Sequence, residues 1–347
     1  MARSKEAEIL TMDKVLEING LSVTAATAQG QQRLIESVNL DVRAGEVLGI
    51  IGESGSGKTT TVRSVLGLHD RNVFVSSGEI RILGRQVLAP GRKVDKSVRG
   101  REVGMVFQGA SSSLDPLMKI HAQLREVVST HMPHLTGARR DEQINRVVTR
   151  MGFKDVGRVL RSYPHQLSGG MRQRIAIALA IVVEPKLLIA DECTSALDVT
   201  TQAEVVSLLR SLIDGSGMGM AFVTHDLMLA GEICTRIAVM YAGQVVEVGS
   251  AADVSTNPSH PYTRALLAAI PSWKHGGIKA IEGTAPRVLG NWTGCRFSAR
   301  CTRVNSTCLE GSISWNEVRP ENFARCNFPN VDNAEDQQRK ATGDANH

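Results

Sequence analysis

The apolar run Val47-Leu48-Gly49-Ile50-Ile51 breaks directly into Gly52-Glu53-Ser54-Gly55-Ser56-Gly57-Lys58-Thr59-Thr60, and this junction restricts the fold more tightly than any other stretch. A run this short and uniformly apolar reads as a buried strand. The glycines after it carry no Cβ, so backbone N–H groups can turn inward around an anion. Patterning then becomes helical from Lys58 to about Leu68, which aims a positive helix end at the same point. Strand, glycine-rich turn and helix form the context that G-x-x-x-x-G-K-[ST] needs to be a phosphate-binding loop. In that loop Lys58 reaches the β- and γ-phosphates, and the Thr59 hydroxyl is placed to ligate Mg²⁺.

The rest of the chain supports an α/β fold. Strands are expected at Val15 to Val23, Leu34 to Val42, Ile80 to Leu83, Val103 to Phe107, Leu187 to Ala190 and Ala221 to Thr224, and a closing hairpin at Ile237–Tyr241 and Gln244–Val248. Between Pro116 and Val183 the pattern is helical, near Leu117–Thr130, Asp141–Met151 and Met171–Val183, and further helices are expected near Gln202–Leu212 and Asp226–Ile233. Helices alternating with apolar strands imply a mostly parallel sheet covered on both faces. The expected organisation is a nucleotide-binding domain over 13–250 with a helical subdomain at about 110–183. An extension over 251–330, cysteine-bearing and strand-poor from Gly294 to Pro329, and a polar, disordered tail over 331–347 complete it.

Further candidate residues fall at strand ends, where open α/β sheets bind ligands. Asp191 and Glu192 follow Leu187-Leu188-Ile189-Ala190; alone such a pair is more often a solvated turn, but here it suits a Mg²⁺-holding acid beside a second carboxylate. Gln108 ends one strand and His225 another; singly, each would more often be a structural residue. Leu167-Ser168-Gly169-Gly170 opens an arginine-bearing helix, so its hydroxyl, glycine N–H groups and helix end form another anion site, although Ser-Gly-Gly alone could be a linker. Ser195-Ala196-Leu197-Asp198 follows the acid pair.

Taken in this order, the motifs resemble those of ATP-binding cassette (ABC) ATPase subunits, over roughly residues 13 to 330. The resemblance implies a P-loop NTPase core in which Gly52, Ser54, Gly55, Ser56, Gly57, Lys58, Thr59 and Thr60 surround ATP. It also implies that Thr59, Gln108 and Asp191 attend Mg²⁺, and that Glu192, His225 and Gln108 serve hydrolysis. Ser168, Gly169, Gly170 and Asp198 would face nucleotide held by an opposite subunit, so that two half-sites make one. Tyr163-Pro164-His165-Gln166, His260-Pro261-Tyr262 and Gly294-Cys295-Arg296-Phe297-Ser298-Ala299-Arg300-Cys301 resemble the peptide/nickel importer branch. That branch implies an ATPase subunit on the cytoplasmic face of the membrane. Its partners would be two membrane-spanning permeases, a second ABC ATPase (identical or homologous) and, indirectly, an external solute-binding protein, with no nucleic acid involved.

Two departures stand out. Ala25 occupies about the position where such ATPases carry an adenine-stacking aromatic, and Cys193 replaces the proline usual after the acid pair. Cys295, Cys301, Cys308 and Cys326 have spacing that does not match short zinc loops. Four clustered thiols in a reducing compartment suggest soft-metal binding. A [4Fe-4S] cluster, which the importer branch also suggests, stands beside plain buried thiols as alternatives.

Composition adds boundaries. With 42% hydrophobic and 22% charged residues the chain has globular character, and Ile175 to Val183, its longest apolar stretch, is too short to span a membrane. The first residues lead into no signal-peptide core, so a cytoplasmic chain is expected. A net charge of +5 without a block of like charge reads as an ordinary solvated surface. A non-transport ABC ATPase serving a soluble enzyme complex is the alternative function, and the cysteine-bearing extension weighs against it. Nucleic-acid-associated ABC proteins generally have paired cassettes or long coiled-coil insertions, and neither is visible.

Overall fold

A computed structural model describes residues 14–330 apart from 93, 110–112, 196, 271–280, 287 and 289–291. Its centre is an eight-stranded sheet in which β3 (Val47–Ile51), β6 (Val103–Val106), β7 (Leu187–Asp191), β8 (Gly219–Thr224) and β9 (Arg236–Tyr241) run parallel in the order β9-β3-β8-β7-β6. β10 (Gln244–Ser250) folds back on β9, antiparallel, as the expected hairpin. Successive side chains on a strand face opposite sides. Leu48 and Ile50, Leu187 and Ile189, Ala221 and Val223 therefore enter one core, while Val47 and Ile51, Leu188 and Ala190, Met220 and Phe222 enter the other. Both faces are covered, which is why these runs are apolar throughout rather than alternating.

One core is closed by α1 (Lys58–Val65) and by a four-stranded antiparallel sheet ordered β2-β1-β4-β5, made of β1 (Lys14–Thr27), β2 (Gly30–Arg43), β4 (Val73–Ile82) and β5 (Arg85–Leu88). The other is closed largely by helices, including α2 (Ile120–His131), α3 (Gly137–Arg150), α4 (Val156–Arg161) and α5 (Gly169–Ile181). α3 begins before the expected Asp141 because its first turn is largely exposed and polar, which leaves no apolar stripe to read. α6 (Val199–Ile213) and α7 (Leu227–Ile233) complete the alternation.

The extension departs from its strand-poor reading. After α8 (Ala251–Thr256) and α9 (Pro261–Ala268), β11 (Trp315–Arg319) and β12 (Asn322–Arg325) form a hairpin, and β12 pairs antiparallel with β10 through Glu247↔Ala324 and Val248↔Phe323. The extension thereby lengthens the central sheet. Its strands escaped notice because they are short and carry Asn, Glu and Arg between their apolar residues. The tail expected over 331–347 lies outside the described residues.

Candidate functional site

β3 ends at the carboxyl edge of the sheet, and the following loop turns through Gly52 (φ 155°), Gly55 (φ 78°) and Gly57 (φ 103°). These values lie where a side chain is strained. A Cβ on Gly52 would also stand 2.2 Å from the Met240 carbonyl oxygen, and one on Gly57 2.6 Å from Ile35 Cγ2. Gly57 caps α1 without a side-chain hydrogen bond, so the first-turn N–H groups of the helix face the loop. Ser56 is buried, and its Oγ has no hydrogen-bond partner in the described structure. Ser54 and Gly55 are exposed at the loop's tip, and Thr60 lies in the first turn of α1.

Lys58 is only 4% exposed, and its Nζ donates to the carbonyls of Gly52 at 2.8 Å and Glu53 at 3.1 Å. Burial lowers its pKa, partly offset by Glu192, Asp191 and Glu53. Glu192 Oε1 stands 3.7 Å from that ammonium, and Glu192 Oε2 accepts from Gln108 Nε2 at 3.1 Å. The Glu192 backbone has φ 44°, an uncommon conformation for a non-glycine residue and a local strain of ~1–3 kcal/mol. Asp191, at the end of β7, is 1% exposed; its Oδ1 accepts from Thr59 Oγ1 at 3.0 Å. Its Oδ2 accepts no hydrogen bond among the described residues and lies 3.7 Å from Arg63 Nε. Burial raises the Asp191 pKa, opposed by the Thr59 hydrogen bond and Arg63.

Lys58, Thr59, Asp191, Glu192 and Gln108, far apart in the chain, therefore converge. Among the described residues Ser56 Oγ and Asp191 Oδ2 are buried acceptors without a hydrogen-bond partner, Asp191 Oδ2 having only the Arg63 guanidinium near it, and such groups are costly unless something binds them. Hard-cation chemistry fits Asp191 Oδ2 beside the Thr59 hydroxyl, and phosphate fits the loop and ammonium. His225 is exposed just beyond β8 at the same sheet edge, with no hydrogen bond to these residues.

A second group lies elsewhere. Ser168, Gly169, Gly170 and Asp198 line one open cavity of about 590 Å³ together with Arg158 and Arg174. Ser168 Oγ caps α5 by accepting from Met171 N at 3.3 Å, and Asp198 caps α6 by accepting from Thr201 N at 3.0 Å. The Thr201 hydrogen bonds lower the Asp198 pKa. Of the segment Ser195 to Asp198, residue 196 lies outside the described residues. A groove of about 520 Å³ opens between the sheet edge and the helical layer, lined by Arg99, Phe107, Met118, Glu126 and Leu179 among others.

Cys295, Cys301, Cys308 and Cys326 line a single small cavity of about 20 Å³ with His260 and Phe297, all as free thiols. Burial raises the Cys295 pKa and pushes that of Cys326 up to about 11. The donor chemistry fits a thiolate-held cluster. Among the described residues, however, no group of three or more His, Cys, Asp or Glu side chains is spaced to hold a metal ion.

Sequence reasoning missed three residues. Arg63 faces Asp191 from α1; Tyr262 Oη accepts from the Glu53 backbone N–H at 3.0 Å; and Arg300 pairs with the Glu53 carboxylate. Ala25 is buried on β1 between Gln32 and Val73.

The family described as "ABC transporter" matches residues 35–195, and "Oligopeptide/dipeptide transporter, C-terminal region" matches residues 246–308. A dipeptide transport ATP-binding protein of Lactococcus lactis is 36% identical, covering 90% of this chain and 90% of the relative. A protein of the same description from Bacillus subtilis is 37% identical, covering 86% of this chain and 89% of the relative. Among solved structures, a dimeric ATP-binding cassette in a post-hydrolysis state bound to ADP and Pi superposes with a TM-score of 0.59 at 26% identity, over 68% of this chain and 98% of that one. Part of an ABC transporter complex from Clostridium perfringens gives a TM-score of 0.61 at 26% identity, over 71% and 92%. The chain belongs to the ATP-binding subunits of ABC transporters of the oligopeptide/dipeptide type.

Proposed function

We propose that this subunit hydrolyses ATP to drive import of di- or oligopeptides, or a related small solute, through two membrane-spanning permeases. The observation that carries the reading is the convergence of Lys58, Thr59, Gln108, Asp191 and Glu192 at the mouth of the phosphate-binding loop, with buried Ser56 Oγ and Asp191 Oδ2 left without a hydrogen bond among the described residues. The loop N–H groups and Lys58 hold the β- and γ-phosphates, and the ammonium exchanges the carbonyls of Gly52 and Glu53 for phosphate oxygens. Thr59, Asp191 and Gln108 would hold Mg²⁺, which when bound neutralises charge developing on the phosphoryl group. Gln108 and Lys58 hold Glu192 from two sides, fixing its carboxylate where it can orient the attacking water and accept its proton. His225 contacts the γ-phosphate from the end of β8.

Ser168, Gly169, Gly170 and Asp198 lie on a separate cavity, in keeping with a half-site that serves nucleotide bound by a second, homologous or identical ATPase subunit. The groove beside Phe107 and Leu179 receives a permease segment on the cytoplasmic face, and a solute-binding protein outside the membrane chooses the cargo. Residues 13–250 act as the nucleotide-binding domain, with the helical part at about 110–183, and 251–330 as its appended extension. The four thiols meet on one small cavity, which supports either plain buried thiols or, with rearrangement, thiolates that would hold a [4Fe-4S] cluster; iron and sulfide measured after anaerobic purification decide between them, and a colourless, iron-free chain excludes the cluster. Affinity capture of the chain from mildly solubilised native membranes tests the transport role. Two permeases and a second ATPase in the eluate support it; soluble enzymes alone would favour a non-transport complex.

A further inference from the structure

The cysteine-bearing turn of the extension is bolted onto the phosphate-binding loop. Arg300 donates to both carboxylate oxygens of Glu53, at 2.8 and 3.1 Å, across 247 residues of chain. Its guanidinium also stands 5.7 Å from the centre of the Tyr241 ring and bonds the carbonyls of Ile281 and Glu282. Tyr262 Oη takes the backbone N–H of the same Glu53 at 3.0 Å. Arg296, four residues before Arg300, donates to the Ala242 carbonyl at 2.5 Å and pairs with Glu36. The next residue, Gly243, donates its N–H to the Ser56 carbonyl at 2.9 Å. Phe297, between the two arginines, packs against Tyr241, Tyr262 and His260.

Glu53 is an awkward residue for an anion site. It is the second residue of the loop, its carbonyl binds Lys58, and an uncompensated carboxylate there repels the charge that the loop must hold. Its side chain is 29% exposed, whereas Arg300 is 5% exposed. A planar guanidinium that meets a carboxylate with two parallel bonds fixes both position and charge. We propose that Arg300 is a positioning residue for ATP binding: it neutralises Glu53 and, with Tyr262, sets the first turn of the phosphate-binding loop. The extension is thus part of the ATP site as well as an appendage. This rests on the ATPase reading above and names residues beyond it.

The test uses the full chain in its native complex, with equilibrium binding of Mg-ATP and hydrogen exchange of the nucleotide-free loop. Charged hydrogen bonds of this kind are worth enough that Arg300→Gln should weaken Mg-ATP binding roughly tenfold. Exchange of the amides of residues 53–57 should also rise in that variant. Adding Glu53→Gln to Arg300→Gln removes the unpaired charge and should return affinity to within about threefold of wild type, which loss of packing alone would not do. Arg300→Lys should fall between, because it keeps the charge and loses the fork. The proposal is overturned if the double variant binds as weakly as Arg300→Gln, or if Arg300→Gln leaves both loop exchange and affinity unchanged. Wild-type protein that binds no Mg-ATP would sink the ATPase reading instead, while faster loop exchange in Arg300→Gln would still uphold Arg300 as the residue that sets the first turn of the loop.

Discussion

Replacing Asp191 by Asn should make the nucleotide-free protein more stable and its response to Mg-ATP weaker. The carboxylate is almost fully buried, with one oxygen bonded to Thr59 and the other, 3.7 Å from Arg63, accepting no hydrogen bond among the described residues. Burial raises its pKa above the ordinary 3.8, so the folded state binds this proton more readily than the unfolded chain. Between those two pKa values stability falls as pH rises, and above the folded pKa the ionised group carries its full cost. Asn keeps the shape and the acceptor for Thr59 while removing the charge, at the cost of an amide NH₂ that faces Arg63 in place of Oδ2. An unsatisfied buried acceptor costs ~1–3 kcal/mol, and Arg63 already returns part of that. The net gain at pH 7 should be about 1 kcal/mol, or ~2–4 °C in a domain of this size. Mg-ATP at a hundredfold excess over Kd should add ~2.7 kcal/mol to wild type, and the variant should lose most of it because the oxygen proposed to hold Mg²⁺ is gone. Urea or thermal unfolding with and without Mg-ATP reads both effects. An Asn variant that is less stable without nucleotide, yet equally protected by Mg-ATP, would refute the reasoning.

Gly52→Ala places a Cβ 2.2 Å from a backbone oxygen at a positive φ and should cost about 3 kcal/mol in urea unfolding. Ala25→Tyr supplies the missing aromatic, and stacking worth ~1–3 kcal/mol should tighten ATP binding and sharpen its preference over GTP; strong ATP preference in wild type with no gain from Tyr contradicts that reading. His260 is buried, and burial lowers its pKa from 6.5 to about 3. Its contribution to stability is therefore lost as pH falls from 6.5 toward about 3, because the unfolded chain takes up the proton first, and His260→Gln should flatten that part of the acid unfolding curve.

The strands at the centre were legible to within two residues because burial on both faces leaves no polar interruption, as in Val47–Ile51 and Leu187–Asp191. The helical stretch was also legible, but the start of α3 was not, since its exposed first turn has no apolar period. The β11–β12 hairpin was hidden for the opposite reason: it lies at an edge, where Asn316, Glu317 and Arg319 are acceptable. Within the site, Lys58, Thr59, Asp191, Glu192 and Gln108 could be named because strand ends and glycine spacing mark such positions. Arg63, Tyr262 and Arg300 could not, because an ion pair or hydrogen bond between distant segments leaves no periodic trace. Cys295, Cys301, Cys308 and Cys326 were grouped by composition, and their meeting on one cavity needed the fold.

The most direct test of the account is phosphate release from Mg-ATP by the purified transporter complex containing either this chain or its Glu192→Gln variant, with ATP binding measured in parallel. Because Glu192 is held by Gln108 and Lys58 where water would be activated, the variant should bind ATP about as well as wild type. Its turnover at this subunit's site should fall by roughly a hundredfold or more. Undiminished hydrolysis at that site in the variant would contradict the role assigned to Glu192 and, with it, the mechanism built on this site.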